Sequence, residues 1–219
     1  MYGPLSTSMP RTLIIPRERS LGDTDTLGPV RTTTGIILAG GQATRMGRDK
    51  ALVEFLGKPM LERVARALST AGLEVLVVGR PQPTLGFEAI PDVAGLGGGP
   101  AVGLLTAFRH LPANDILLVA VDQPQLRPTT VTALLQHPGD AVVPMAEGHP
   151  QVTCALYRRE SHKEFEHGIA SGETKLRRIL DRVDTTYVDE PVWSGWGEDG
   201  RSWMSLDTPQ AVRDAEALR

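Results

Sequence analysis

"GIILAGGQATRMGRDKAL", residues 35–52, runs an apolar stretch into a glycine pair and then into Arg45, Arg48, Asp49 and Lys50. The β-branched residues ahead of the glycines predict a short strand over residues 34–39, with the glycines and cations in the loop that leaves it. Glycine lacks a Cβ and tolerates positive φ, so the amides of Gly40 and Gly41 can approach a ligand closely. Successive amides in such a loop form an anion nest, to which Arg45 and Lys50 add positive charge against a polyphosphate. The glycines taken alone favour the plainer reading of a tight turn with solvated cations. Two familiar phosphate loops do not fit. Gly47 is followed by Arg-Asp-Lys-Ala, with no hydroxyl where a Walker loop holds magnesium, and the dinucleotide fingerprint G-x-G-x-x-G is absent from the Gly40–Gly41–Gln42 run.

Downstream the apolar spacing alternates between two periods. Leu61, Val64, Ala65 and Leu68 predict a helix over 60–71 stopped by Gly72, and "EVLVV" predicts a strand over 74–78. Ala89 and Ile90 begin another strand, and a glycine-rich loop then leads into a helix over 101–111. A strand over 116–121, a helix over 129–136 and a strand over 141–144 follow. The second half is less regular. It has a strand over 151–157, helices over 160–169 and 175–182, a strand over 185–188, a loop with glycines and tryptophans over 190–203, and a closing helix over 208–218.

Strands that alternate with helices and are apolar throughout imply an α/β fold, a mostly parallel sheet covered on both faces. Ligands of such sheets bind beyond the carboxyl ends of the strands. That rule sets the loop after Ala39, the loop after Ile90 and Asp122, which ends "LLVAVD", along one rim. Asp122 there serves either as a metal-binding carboxylate or as a turn cap, and Asp92 either as a ligand contact or as a turn former.

With 219 residues, 41% apolar and 22% charged, the chain suits one substantial α/β domain, expected over residues 34–219. Residues 1–33 are rich in Pro, Ser, Thr and Gly and read as a disordered N-terminal extension, with room for one short docked strand at 12–15. A net charge of −3 disfavours general nucleic-acid or membrane binding, and no apolar run nears the roughly 20 residues that cross a bilayer. The single cysteine, Cys154, lies in an alternating stretch and reads as a packed strand residue in a protein of the reducing cytoplasm.

"LAGGQATRMGRDKAL" resembles the nucleotide-binding signature L-A-G-G-x-x-x-R-M-G-x-D-K of the nucleotidyltransferases, and among them the MobA family of molybdenum cofactor guanylyltransferases. "FLGKPMLERVARAL", "IPD", "GGPAVGLLTAF", "VAVDQPQL", "GHPQVTCALYRR" and "DTPQAV" continue the likeness in order, over nearly everything from Gly35 onward. The resemblance implies a Rossmann-like three-layer α/β/α fold of the nucleotide-diphospho-sugar-transferase type. It implies that Leu38, Ala39, Gly40 and Gly41 hold the nucleotide by their backbone, that Lys50 contacts its phosphates and that Asp92 is an acidic nucleotide contact. It also implies that Asp122 binds both nucleotide and Mg²⁺, and that Arg45 neutralises the leaving diphosphate.

The implied reaction is transfer of GMP from GTP to the terminal phosphate of molybdenum-bearing molybdopterin. Other cofactor-assembly proteins and molybdoenzyme chaperones are the implied partners. Two departures bear on recognition. The family's asparagine after the second strand is missing from Val77-Val78-Gly79-Arg80, and its asparagine-rich terminal motif is here "MSLDTP", with Ser205 and Asp207. Gly40, where cytidine-using relatives carry alanine, favours the larger guanine. The acceptor is expected near "GHPQ", including His149, and the loop at 97–103. A cytidylyltransferase, a sugar-phosphate transferase and a non-catalytic nucleotide-binding homologue are the alternatives.

Overall fold

The computed structural model describes residues 32–40 and 49–218. Strand β1 (Thr33–Leu38) begins one residue ahead of its predicted start, and Ile36 and Ile37 at its centre are fully buried on opposite faces. After it come a two-residue hairpin, β2 (Glu54–Phe55) and β3 (Lys58–Pro59), then helix α1 (Met60–Thr70) and β4 (Glu74–Val78). β5 (Ala89–Ile90), α2 (Pro100–His110), β6 (Asp115–Ala120), α3 (Pro128–Leu135) and β7 (Ala141–Ala146) continue the alternation. The remainder is β8 (His149–Pro150), β9 (Cys154–Tyr157), α4 (His162–Ala170), α5 (Leu176–Ile179), β10 (Thr185–Val188), α6 (Glu190–Trp193) and α7 (Pro209–Ala217).

The main sheet runs β10-β7-β9-β6-β1-β4-β5, with β8 paired to β7. β1 lies parallel to both β4 and β6, β5 to β4, and β10 to β7, while β9 runs antiparallel between β6 and β7. Alternate side chains serve two cores. Ile37, Val77, Leu117 and Leu156 pack with Leu61 and Leu68 of α1 and Leu134 of α3. Ile36, Val78, Leu118 and Tyr157 pack with Leu104 and Phe108 of α2 and Phe165 of α4. A third cluster seats α7 on the β2–β3 hairpin through Phe55, Met60, Leu206 and Val212. The mostly parallel sheet covered on both faces, read from the alternation of strands and helices, is thus the observed one, in the three-layer α/β/α form that the resemblance implied.

Topology sets the crevice. From β1 the chain steps outward to β4 and β5, then returns through α2 to the far side of β1 as β6. The order reverses between β1 and β6, and a gap opens at their carboxyl ends where successive connections part to opposite faces.

In the second half, several elements are shorter than the periodicity predicts. β9 starts only at Cys154, because Cys154 N donates to Gln151 O (2.9 Å) and closes a turn where the strand was expected to begin. The helix expected at 160–169 opens with a 3-10 turn at Arg159–Ser161, and the one expected at 175–182 ends in a 3-10 turn at Leu180–Arg182. The tryptophan segment predicted as a loop contains α6. Trp193 and Trp203 are both buried in edge-on contact, ring centroids 5.1 Å apart, and Trp193 Nε1 donates to Met145 O (2.8 Å). Residues 12–15, the possible docked strand, lie outside the described residues.

Candidate functional site

The crevice is built from four segments. At its floor, Ala39 N donates to Val78 O (2.9 Å) and Val121 N donates to Leu38 O (3.0 Å), so β1 is held on both sides as it reaches the rim. Gly40 follows, and its backbone meets that of Gly79. A Cβ on Gly79 (φ +93°) would stand 2.5 Å from Gly40 Cα, and one on Gly40 would stand 3.0 Å from Gly79 Cα and 3.3 Å from Asp92 Oδ2. The glycine at 40 therefore has a structural cause that the sequence did not disclose, the crossing of two chain segments over the Asp92 carboxyl.

Lys50 opens a 3-10 turn, Lys50–Leu52, whose first amides are capped when Ala51 N donates to Asp49 Oδ1 (3.0 Å). The same Asp49 oxygen accepts from Arg80 Nη2, so the turn is fastened to the exit of β4. From this anchored base the Lys50 ammonium reaches across the crevice to Asp122 Oδ2 at 2.8 Å.

Asp122 is fixed by its neighbours. Leu206 N donates to its carbonyl (2.8 Å), and Ser205 Oγ donates to Oδ2 (3.1 Å). Gln123, buried beside it, accepts from Ala120 N (3.1 Å) and donates to Trp203 O (3.2 Å), which ties the turn to the tryptophan segment. The "MSLDTP" segment, noted for its departure from the family pattern, thus supplies a hydroxyl to the acid at the rim.

Asp92 arrives from the loop after β5. Val93 N donates to Thr106 Oγ1 (3.1 Å), and burial raises the Asp92 carboxyl above the usual aspartate range. Gly103 lets α2 lie against β1, since a Cβ there would meet Leu38 Cδ2 at 2.5 Å. Together Leu38, Gly40, Lys50, Asp92, Asp122 and Thr153 line a cleft of about 150 Å³. Residues from three separate loops therefore converge at one sheet rim. Gly41 and Arg45 lie outside the described residues.

A second cavity of about 570 Å³ opens beside the first, bordered by Glu147, His149, Gln151, Trp193, Asp199 and Met204. The turn Glu147–Gly148, with φ of 52° and 73°, folds β8 back on β7 and presents His149 to it. Chain continuity joins the cavities, because Met204 borders one and its neighbour Ser205 bonds Asp122 in the other.

Behind this second cavity sits Glu198, a buried acid that sequence patterning did not single out. Its Oε1 accepts from Asp199 N (3.0 Å), Gly200 N (2.9 Å) and Ser202 N (3.4 Å), and its Oε2 accepts from the Thr130 and Ser202 hydroxyls. Arg127 completes the clamp, with Nη2 2.6 Å from Asp199 Oδ2. Only the local run of turn formers in "GEDGRS" hinted at order here. Cys154 is a packed strand residue as its alternation implied, its thiol pushed up to about 12 by burial and the nearby Glu198 charge.

The donor set suits a hard divalent ion. Asp122 and Asp92 offer oxygen ligands, and among the described residues no group of three or more His, Cys, Asp or Glu assembles a closed cage. Mg²⁺ takes few protein carboxylates and fills its shell with water and substrate phosphate, so these residues fit it.

The family model of the MobA-like NTP transferase domain matches residues 35–186, which includes the cleft-lining residues Leu38, Gly40, Lys50, Asp92, Asp122 and Thr153. The chain belongs to this family. The molybdenum cofactor guanylyltransferase of Serratia proteamaculans is 34% identical over 157 residues, covering 68% of this chain and 79% of its own length. A probable molybdenum cofactor guanylyltransferase of Bacillus licheniformis is 32% identical over 164 residues, covering 70% and 83%. Among solved structures, molybdopterin-guanine dinucleotide biosynthesis protein A of Archaeoglobus fulgidus superposes with a TM-score of 0.73 at 23% identity, over 84% of this chain and 97% of that one. No helix among the described residues is long and apolar enough to cross a membrane.

Proposed function

We propose that this MobA-like transferase moves GMP from GTP to the terminal phosphate of molybdopterin, releasing diphosphate. The observation that carries the reading is the meeting of Lys50 and Asp122 at 2.8 Å in a cleft also lined by Gly40 and Asp92. A lysine ammonium beside close-approaching backbone, at the reversal point of a parallel sheet, suits a triphosphate, and the two acids suit the divalent cation that would accompany it.

In the reaction an oxygen of the acceptor phosphate forms a bond to the α-phosphorus as the bridging bond to the β-phosphate breaks. A phosphomonoester has its second ionisation near pH 6, so it attacks without a side-chain base. The chain's work is alignment and charge balance. Lys50, anchored through Asp49 to Arg80, swings its ammonium onto the nucleotide phosphates, and Arg45 neutralises the departing diphosphate. Gly40 and Gly41 keep the backbone close to the nucleotide, with Leu38 and Ala39 at the strand end beneath it. Asp122, with the substrate phosphates, would hold Mg²⁺, which supplies charge neutralisation when bound. Ser205 steadies the Asp122 carboxyl.

The cavity of about 570 Å³ is the acceptor side of this reading. Its carboxylates, Glu147, Glu190 and Asp199, suit the amino and ring N–H donors of a pterin, and His149 suits a phosphate. The reading takes residues 34–219 as one transferase domain with 1–33 appended, working in the cytoplasm with other cofactor-assembly proteins and molybdoenzyme chaperones.

The test is incubation with GTP, CTP or ATP, with and without Mg²⁺ and molybdopterin, scoring diphosphate. Release that requires GTP, Mg²⁺ and molybdopterin together is expected. Preference for CTP would make the enzyme a cytidylyltransferase, and nucleotide binding with no diphosphate would make it a non-catalytic homologue.

A further inference from the structure

We infer that Lys50 is an internal competitor of the divalent cation at Asp122, so that metal enters this site with the nucleotide and not ahead of it. This rests on the proposed role of Asp122 as the metal carboxylate.

The free protein pairs the Lys50 ammonium with Asp122 Oδ2 at 2.8 Å, and the two side chains are only 26% and 16% exposed. A divalent ion approaching that carboxylate meets a fixed positive charge, and it must repel or displace it. The offset is local: the Lys50 ammonium balances the Asp122 carboxylate it touches, which weakens the pull of that carboxylate on a bare cation.

The mechanics of release are equally visible. Backbone bonds and the Asp49–Arg80 pair hold the turn that carries Lys50, while its four-carbon stem can pivot. A triphosphate offers the ammonium a denser anion, and its departure from Asp122 frees the carboxylate as the phosphates deliver the metal. Ser205 Oγ, on the same oxygen at 3.1 Å, keeps the carboxylate oriented through the exchange. A lysine placed only to contact phosphate needs no ion pair with the metal acid, so the pair makes a distinct prediction about the nucleotide-free protein.

Mn²⁺ titration of the nucleotide-free chain, read by the loss of the free-ion electron paramagnetic resonance signal, tests this without turnover. Lys50→Met is expected to bind Mn²⁺ about fivefold more tightly than the natural chain, the fold-change equivalent of one partly exposed ion pair. Lys50→Arg keeps the cation and is expected to match the natural chain. Adding a non-hydrolysable GTP analogue is expected to strengthen Mn²⁺ binding to the natural chain more than to Lys50→Met. Asp122→Asn is expected to abolish the gain when combined with Lys50→Met. Equal Mn²⁺ affinity for the natural chain and Lys50→Met would overturn the inference while leaving the transferase reading intact. Mn²⁺ binding as tight in the Lys50→Met, Asp122→Asn double variant as in Lys50→Met alone would instead overturn the metal role of Asp122 itself. Thermal melts of each variant, with and without Mn²⁺, keep a folding defect from imitating either result.

Discussion

Glu198→Ala should be the most damaging single change outside the nucleotide cleft. The native carboxylate is buried and accepts from three backbone amides and from the hydroxyls of Thr130 and Ser202. Alanine leaves all five donors without their acceptor. The Thr130 and Ser202 hydroxyls stand 3.4 Å apart and can turn toward each other, which recovers part of the loss. The Ser202 amide is buried and has no such option, while the part-buried Asp199 and Gly200 amides lose less; an abandoned buried donor costs about 1–3 kcal/mol, so a total near 3 kcal/mol is expected. At about 2–4 °C per kcal/mol for a domain of this size, the melting temperature should fall by about 6–12 °C.

The damage should be directional. The 197–204 segment borders the larger cavity and runs into Ser205, whereas Lys50 and Asp92 sit on other loops. Well below the melting point, KM for the acceptor should therefore rise more than KM for GTP. Calorimetry and a two-substrate diphosphate assay measure both effects. A melting temperature within 2 °C of the natural protein would refute the assignment of Glu198 as the segment's organising acceptor.

Asp92→Asn should raise stability at neutral pH. Burial lifts the folded carboxyl above its unfolded value, so its contribution is full below about pH 4 and is lost as pH rises through the folded value. Asparagine removes that cost, and the gain in melting temperature should vanish as the pH is lowered below about 4. A gain that persisted unchanged in acid would contradict the burial account. Gly79→Ala should cost about 2 kcal/mol or more and weaken GTP binding, because a Cβ at φ +93° meets the Gly40 backbone at 2.5 Å. Chemical denaturation and nucleotide titration check it, and a neutral result would mean that the two segments do not cross so closely.

Local periodicity was enough to mark β4 to the residue and β1 and β6 to within one, because their buried stretches are apolar on both faces, and the β-branched and aromatic run of the edge strand β10 marked it to the residue. The rule that ligands sit beyond strand carboxyl ends then brought Gly40, Asp92 and Asp122 to one rim before any coordinates. What escaped is non-local. Nothing in Cys154–Tyr157 announces that β9 runs antiparallel between two parallel neighbours. Gly40 and Gly79 are separated by a hairpin, a helix and a strand, so their contact leaves no mark in either neighbourhood. Glu198 looks like its exposed neighbour Asp199 in sequence, and only the arrival of α3 with Thr130 makes it a buried hub.

The central claim is that a triphosphate reacts at the rim where Asp122 meets Lys50, and diphosphate release by Asp122→Ala tests it most directly. With GTP, Mg²⁺ and molybdopterin supplied, the variant should keep its fold, since Asp122 lies in the turn two residues beyond β6 and the sheet core is untouched, and should lose nearly all turnover. Turnover close to that of the natural chain would contradict the claim.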